Sequence, residues 1–388
     1  MPIKPAIKPL VADAQDWRRD IHRHPELDYD LPRTAALVAE RLKAFGCDEV
    51  ATGVGRSGVV GVIRGRGAAS ERTIGLRADM DALPIHETTN LPYQSANPGK
   101  MHACGHDGHT AMLLGAARYL AQSRNFSGTA VVIFQPAEEG GGGGKAMLDD
   151  GLMERFGVQQ VFGMHNWPTL PVGDFAIRKG PFLAAADRFA ITIEGRGGHA
   201  AWPHLGSDPI VAGAQIVSAL QTIVARNVDP LDSCVVSVTR FDAGTTFNVI
   251  PQTAHLLGTT RTLLSKTRDF AERRVTEIAK GVGLALGVQI EVQYVRGYPP
   301  TCNHAEETDF AAGIARKVAG DDRVVTNVPP VMGAEDFSYM LEARPGALIL
   351  VGNGDTAGLH HSEYDFNDAA LPYGMSYWAE LVETALAA

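Results

Sequence analysis

At 388 residues the chain exceeds the roughly 250–300 at which a single hydrophobic core stops growing, so two domains are expected. Hydrophobic residues make up 45% of it and charged residues 20%, which excludes a disordered or fibrous chain. Forty-four acidic against 35 basic residues give a net charge of −9 with no basic run, which argues against nucleic acid or an anionic membrane as partner and leaves small molecules.

The N-terminal stretch "MPIKPAIKPLVADAQDW" has no apolar signal region or small-residue cleavage site, and no apolar stretch approaches the ~18 residues of a membrane span, so a cytoplasmic protein is expected. Cys47, Cys104, Cys234 and Cys302 are too sparse for a disulfide scaffold and are expected as reduced thiols. His22 and His24 fall in a first helix and its exit, where structural roles suit them. From about residue 56 to 183, short β-rich runs ("GVVGVIRG", "RTIGLRAD", "GTAVVIFQP", "VQQVFGMH") alternate with helical segments such as "GHTAMLLGAARYLAQSR". That alternation predicts a mostly parallel sheet with helices on both faces. Residues 187 to 296 read instead as β-α-β-β-α-β, a split βαβ of ferredoxin-like type. From about 305 the α/β character returns with "ETDFAAGIARKVAG", "GALILVGNG" and "LPYGMSYWAELVETALAA". Residues 1–183 and 298–388 are thus expected to form one α/β domain, with 184–297 inserted as a second.

The segment "HACGHDGHT" at 102–110 packs three histidines and a cysteine into nine residues ahead of a helical pattern. Other candidate ligands follow strands: Asp79 and Asp81 after "RTIGLRA", Glu138 and Glu139 after "TAVVIFQPA", His165 after "VFGM", His360 and His361 after "ALILVGNGDTAGL". In open α/β sheets the carboxyl edge of the strands is where ligands bind. A single histidine or glutamate at a strand end is more often a solvated loop residue, but four such loops at one edge reverse that reading. Thiolate, imidazole and carboxylate together suit Zn²⁺ or another late first-row divalent ion, and the number of candidates leaves room for two. Cys104 as a nucleophile activated by His106 is the competing reading. It would leave the paired glutamates and the distant histidines without a purpose. His102 and His109 flank the ligands as orienting or packing residues, and Asp79 and Asp81 are carboxylates placed to orient imidazoles.

A metal ligand and a general base have opposite needs, because one must stay ionised on the ion while the other takes a proton and gives it up again. One of each in "AEEGG" meets both. The chemistry implied is amide hydrolysis by activated water with no covalent intermediate.

Taken together, "RRDIHRHPEL", "GLRADMDALPI", "MHACGHDGHTAMLLGAA", "FQPAEEGGGG", "GMHNWP", "GRGGHAAWPH", "GAEDFSYM" and "LHHSEYDFND" resemble the M20 metallopeptidase superfamily. Within it they resemble the branch of hippurate hydrolases, N-acyl-amino-acid amidohydrolases and auxin-conjugate hydrolases. The resemblance runs from about residue 14 to the C-terminus. It implies a zinc-exopeptidase-like α/β domain with an inserted ferredoxin-like lid that dimerises. It implies two divalent ions per subunit, Zn²⁺ first with Mn²⁺, Co²⁺ or Ni²⁺ as alternatives, held by a bridging Cys104 with His106, Glu139, His165 and His360. Glu138 would be the general base, Asp79 and Asp81 would orient ligands, and His199, Asn248 and Arg261 would bind substrate. The implied activity is hydrolysis of an N-acyl amino acid to a carboxylic acid and a free amino acid. Cleavage of small peptides by a metallo-dipeptidase or carboxypeptidase, and a silent conjugate-binding relative, are the alternatives.

Overall fold

A computed structural model describes residues 3–68 and 70–387. The chain divides into two compact units. The first comprises Met1–Gly180, Cys302–Pro329 and Asp336–Ala388; the second comprises Pro181–Thr301 and Pro330–Glu335. The return of Pro330–Glu335 to the second unit has no signal in the sequence pattern. It is made by backbone pairing, since Val331 N–H donates to Phe182 O at 3.0 Å and Ala184 N–H to Gly333 O at 2.8 Å.

The first unit is built on an eight-stranded sheet. Its strands β1 (Glu49–Val54), β2 (Gly58–Arg64), β3 (Thr73–Asp79), β4 (Thr129–Gln135) and β5 (Gln160–Pro168) are joined by Gly346–Gly354 and two short strands, Phe175–Ala176 and Val324–Val325. The spatial order is β1-β2-β4-β3-β5, then Gly346–Gly354, Phe175–Ala176 and Val324–Val325. β3 pairs parallel with both β4 and β5, and β5 pairs parallel with Gly346–Gly354. Every residue of β3, and all but one of β4 and of Gly346–Gly354, is buried, as a parallel strand covered on both faces requires. The chain leaves β3 to pair on one side as β4 and comes back on its other side as β5, the kind of reversal at whose carboxyl edge ligands bind.

One edge of the sheet departs from the expected parallel arrangement, because β1 and β2 are antiparallel to each other and β2 is antiparallel to β4. Only residues 55–57 connect β1 to β2, and a turn that short can close a hairpin but cannot carry a parallel crossover. Helices α1 (Val11–Arg23), α2 (Pro32–Phe45), α3 (His106–Ser123) and α4 (Gly143–Asp149) flank the sheet, and the terminal helix Leu371–Ala385 packs on α3. The inward stripe of α1 is Ala14, Trp17, Arg18, Ile21 and His22, a helical spacing that buries two cationic side chains among apolar ones.

The second unit is a four-stranded antiparallel sheet in the order Cys234–Ala243, Thr253–Thr262, Ala185–Glu194, Gln289–Arg296, with helices Pro209–Thr222 and Ser265–Leu286. Sequence order is β-α-β-β-α-β, and the first strand lies between the third and the fourth, the ferredoxin-like arrangement. Asp208 caps the first helix, accepting from Ile210 and Val211 N–H, with Pro209 at its first position. That helix runs on through Asn227, and by length and composition the 19 residues Pro209–Asn227 could cross a membrane, contrary to the expectation that no stretch approaches that length. Its apolar character serves two faces instead. Ala212, Ile216 and Leu220 are buried in the core of this unit, whereas Ile210, Val211 and Val224 are exposed.

Candidate metal centre

The candidate ligands converge at the carboxyl edge of the parallel strands. Asp79 is the last residue of β3, and Glu138 and Glu139 follow β4 by three and four positions. His106 opens α3. His165 lies inside β5 rather than beyond it, because the ladder with Gly346–Gly354 continues past it, with His165 opposite Leu350. His360 sits six residues after Gly346–Gly354. Two close approaches of backbone make this possible. Gly105, between Cys104 and His106, has φ +85°, and a Cβ there would meet Asn166 Nδ2 at 2.3 Å and Tyr364 OH at 2.5 Å. Gly143, at the start of α4, would drive a Cβ into Pro136 O at 1.6 Å.

Ala137 (φ 52°) and His360 (φ 64°) both hold left-handed backbone conformations without being glycine. Such residues cost about 1–3 kcal/mol each and persist where the surroundings over-determine them. Ala137 is held by Gly143 N–H on its carbonyl, and His360 by its own N–H on Ala103 O at 2.8 Å.

Ligand atoms of Cys104, His106 and His165 lie within 4.8 Å of one another, as do those of Cys104, Glu139 and His360, and those of His106, Glu138 and Glu139. Cys104 belongs to two of these sets. Its Sγ is 3.4 Å from His165 Nε2, while Glu139 Oε1 is 3.3 Å from His360 Nε2 and 3.9 Å from His106 Nε2. His361 points its chemistry elsewhere, its Nδ1 accepting from Glu363 N–H at 3.1 Å.

Two of the three imidazoles are oriented from behind. His106 Nδ1 bonds Asp81 O at 2.8 Å and His165 Nδ1 bonds Asn166 O at 2.6 Å, which leaves both Nε2 atoms facing the cluster. His106 Nε2 is buried with no hydrogen-bond partner among the described residues. Asp81 also clamps the glutamate pair, its two carboxylate oxygens accepting the N–H groups of Glu138 (2.9 Å) and Glu139 (3.0 Å).

The electrostatics ask for cations. Burial pushes the Cys104 thiol well above the ordinary thiol range, and the charges of Glu139, Glu138 and Asp79 push it further. A buried thiol beside carboxylates is the opposite of an activated nucleophile, which needs an electropositive and partly exposed setting. Burial also drives His165 well below the ordinary imidazole range, helped by His109, so it is a neutral donor. His106 resists its own burial because Asp79, Asp81 and Glu139 surround it, and it is pushed up to about 10. A soft thiol, three imidazoles and carboxylates, with a buried nitrogen lacking a partner, fit divalent metal ions.

Several residues here were not singled out from the sequence. Arg77, fully buried in β3, donates to Asp79 (2.8 Å), Gln135 (2.9 Å) and Asp336 (3.0 Å). Asp336 also accepts Gly144 N–H at 2.7 Å, and its own N–H donates to Glu138 Oε1 at 3.3 Å. The signal was an arginine inside the apolar run "RTIGLRAD", since a buried charge has to be paired. His109 is fully engaged, bonding Asp79 Oδ1 at 2.6 Å through Nδ1 and accepting Asn166 N–H at 2.8 Å on Nε2, and so orients rather than ligates. Burial, opposed by Asp107, pushes His102 down to about 3, so it packs as a neutral ring 6.3 Å from His22.

His22 has a titratable consequence. Burial alone would lower it, yet Asp107 at 2.9 Å and Glu87 at 3.3 Å on its two nitrogens raise it from 6.5 to about 9. A histidine raised in the folded state contributes stability that is complete below its unfolded value and is lost as pH climbs through about 9, an effect on the order of 3 kcal/mol. The difference in urea midpoint between the wild type and His22→Gln is therefore expected to be large near about pH 6 and to shrink by about pH 9.5. A difference independent of pH would show that His22 is not held as an imidazolium.

His199, Asn248 and Arg261 belong to the second unit. His199 lies on the short strand Gly198–His199 that pairs with Val249–Ile250, and Ala200 N–H donates to Asn248 O at 3.0 Å, so these two are neighbours on one ribbon. The His199 ring packs on Trp202 at 4.7 Å. Arg261 is near the end of Thr253–Thr262, its guanidinium donating to Thr259 Oγ1 and Thr260 O.

Residues 75–384 match Peptidase family M20/M25/M40. Among curated relatives, the hippurate hydrolase of Campylobacter jejuni is 44% identical over 381 residues, covering 98% of each chain. The N-acetylcysteine deacetylase of Bacillus subtilis is 39% identical over 372 residues, covering 96% of each. A solved Bacillus subtilis structure, described as a dinuclear metal binding peptidase from the M20 family, superposes with a TM-score of 0.86 at 35% identity, covering 98% of this chain and 99% of that one.

Proposed function

This chain belongs to Peptidase family M20/M25/M40 and is a metal-dependent hydrolase of the amide bond in N-acyl amino acids, and on that premise we propose a division of labour among its residues. Cys104, His106, Glu139, His165 and His360 would hold two divalent ions, Zn²⁺ first, with Cys104 common to a His106–His165 set and a Glu139–His360 set. The observation that carries this is the membership of Cys104 in two ligand sets that otherwise have no residue in common. When bound, the ions lower the pKa of water to about 7 and polarise the scissile carbonyl. Glu138 takes the proton of the attacking water and passes it to the leaving amine nitrogen. Asp81 holds Glu138 and Glu139 by their backbone N–H groups, and Asp79 with Arg77 fixes the floor beneath His106 and His109.

The first unit acts as the metal-binding catalytic domain, and the second, Pro181–Thr301 with Pro330–Glu335, as a lid and dimerisation domain. His199, Asn248 and Arg261 bind the substrate, the arginine fork taking the free carboxylate. A homodimer through the second unit is supported by its unpaired edge strand Cys234–Ala243, with Val235 and Phe241 exposed, and by Ile210 and Val211 exposed on the neighbouring helix. A cytoplasmic location accords with four free cysteines.

The test is elemental analysis combined with hydrolysis of a panel of benzoyl, acetyl and indole-acetyl amino acids and small dipeptides, before and after chelation and add-back. About two ions per chain, with N-acyl amino acid hydrolysis that vanishes and returns with metal, is expected. Hydrolysis that survives chelation would return the reaction to Cys104, and turnover of dipeptides alone would make the enzyme a peptidase.

A further inference from the structure

The motif "RRDIHRHPEL" supplies none of the candidate ligands, yet two of its side chains, Arg18 and His22, are fully buried. Arg18 reaches from α1 to two segments that carry ligands. Its Nη1 is 3.5 Å from Asp107 Oδ2, the residue directly after His106. The same Nη1 is 3.4 Å from Asp365 Oδ1, and its Nε is 2.7 Å from Asp368 Oδ1, in the segment that follows His360. The guanidinium lies over the Tyr93 ring at 4.4 Å, and Tyr93 OH donates to Asp365 Oδ2 at 2.8 Å, so the plane of the fork is held as well. His22 Nδ1 meets the same Asp107 Oδ2 at 2.9 Å.

The structure assigns Arg18 as a positioning residue that sets the spacing between the His106 turn and the His360 segment, and with it the affinity of the ion held by Cys104, Glu139 and His360. This rests on the reading that the first unit binds two ions. The physical case is one of rigidity. His360 is half-exposed and sits in a left-handed conformation, so its segment needs external restraint to present Nε2 reproducibly. Part of that restraint is backbone pairing of His360 with Ala103 and of Thr88 with Ser362. Tyr364 OH on Asn166 Oδ1 (2.7 Å) and Asn353 Nδ2 on Asp365 O (2.9 Å) add to it, and the ion cluster at Asp365 and Asp368, which Arg19 shares at Asp368, is the part that Arg18 joins to Asp107. Residues that orient metal ligands from behind are worth roughly 10–100-fold in metal affinity.

The experiment compares the zinc-loaded wild type with Arg18→Gln and Asp368→Asn during dialysis against graded chelator, reading ions per chain by elemental analysis and the unfolding midpoint of the metal-free chain. Arg18→Gln is expected to release one of its two ions at roughly tenfold lower chelator strength than the wild type while keeping the other. Asp368→Asn, at a partly exposed position, is expected to show the same selective loss to a smaller degree with its metal-free midpoint unchanged. Should Arg18→Gln fail to fold, Asp368→Asn decides alone. Release of both ions at wild-type chelator strength by the folded variants would overturn the assignment and leave Arg18 a stability residue only. A wild type that holds fewer than two ions would instead overturn the dinuclear reading on which it rests.

Discussion

Glu138→Gln is expected to retain both ions and lose about 10³-fold in kcat, whereas Glu139→Gln is expected to lose metal as well as turnover. The two neighbours differ in what they face. Glu139 Oε1 lies 3.3 Å from His360 Nε2 and 3.9 Å from His106 Nε2, among ligand atoms, and the attraction of those imidazoles outweighs its burial to hold its carboxyl below the usual range. Glu138 is the more buried of the two and is turned so that Oε1 accepts the backbone N–H of Asp336 at 3.3 Å. Replacing it with an amide of the same shape can keep that acceptor while removing the charge and the capacity to take a proton. Elemental analysis beside initial rates separates the two roles. Equal metal loss in both variants would falsify the division between ligand and base.

Cys104→Ala should empty the centre, with both ions lost and hydrolysis reduced to background. His360→Ala, by contrast, should cost one ion. The asymmetry follows from set membership, since Cys104 alone stands in both the His106–His165 set and the Glu139–His360 set. Buried and facing Glu139, Glu138 and Asp79, the thiol conflicts with its surroundings in its thiolate form until a cation is present. A coordinated thiolate relieves that conflict, which makes the sulfur a source of affinity for both ions. If Cys104→Ala kept two ions and still lost activity, the thiol would have to be reacting with the substrate directly.

The ligand types and their chain segments were legible because each follows a strand or opens a helix with a strong pattern. "TAVVIFQP" and "ALILVGNG" are apolar enough to be central strands, and what comes directly after a parallel strand has to emerge at its carboxyl edge. Where the pattern was weak, the reading was coarser. β1 went unread because "EVATGV" is short and half-exposed, and the antiparallel edge went with it. His165 was placed beyond its strand, since a histidine after "VFGM" looks like an end when the neighbouring strand that prolongs the ladder lies far along the chain. The resemblance separates His360 from His361, and in the structure His360 Nε2 faces Glu139 while His361 Nδ1 accepts from Glu363 N–H.

The α/β class, the inserted β-α-β-β-α-β segment and the residue types proposed to bind metal are legible in the chain itself. These are consequences of local periodicity and of donor chemistry, both written in consecutive residues. What lies behind the proposed ligands is set by tertiary packing: Arg77 joining Asp79 to Asp336, Asp81 clamping two backbone N–H groups, and Arg18 tying Asp107 to Asp365 and Asp368. Those supports are pairings between segments remote in the chain. A buried charge announces that it must have a partner, but which partner it takes depends on packing that no local pattern encodes.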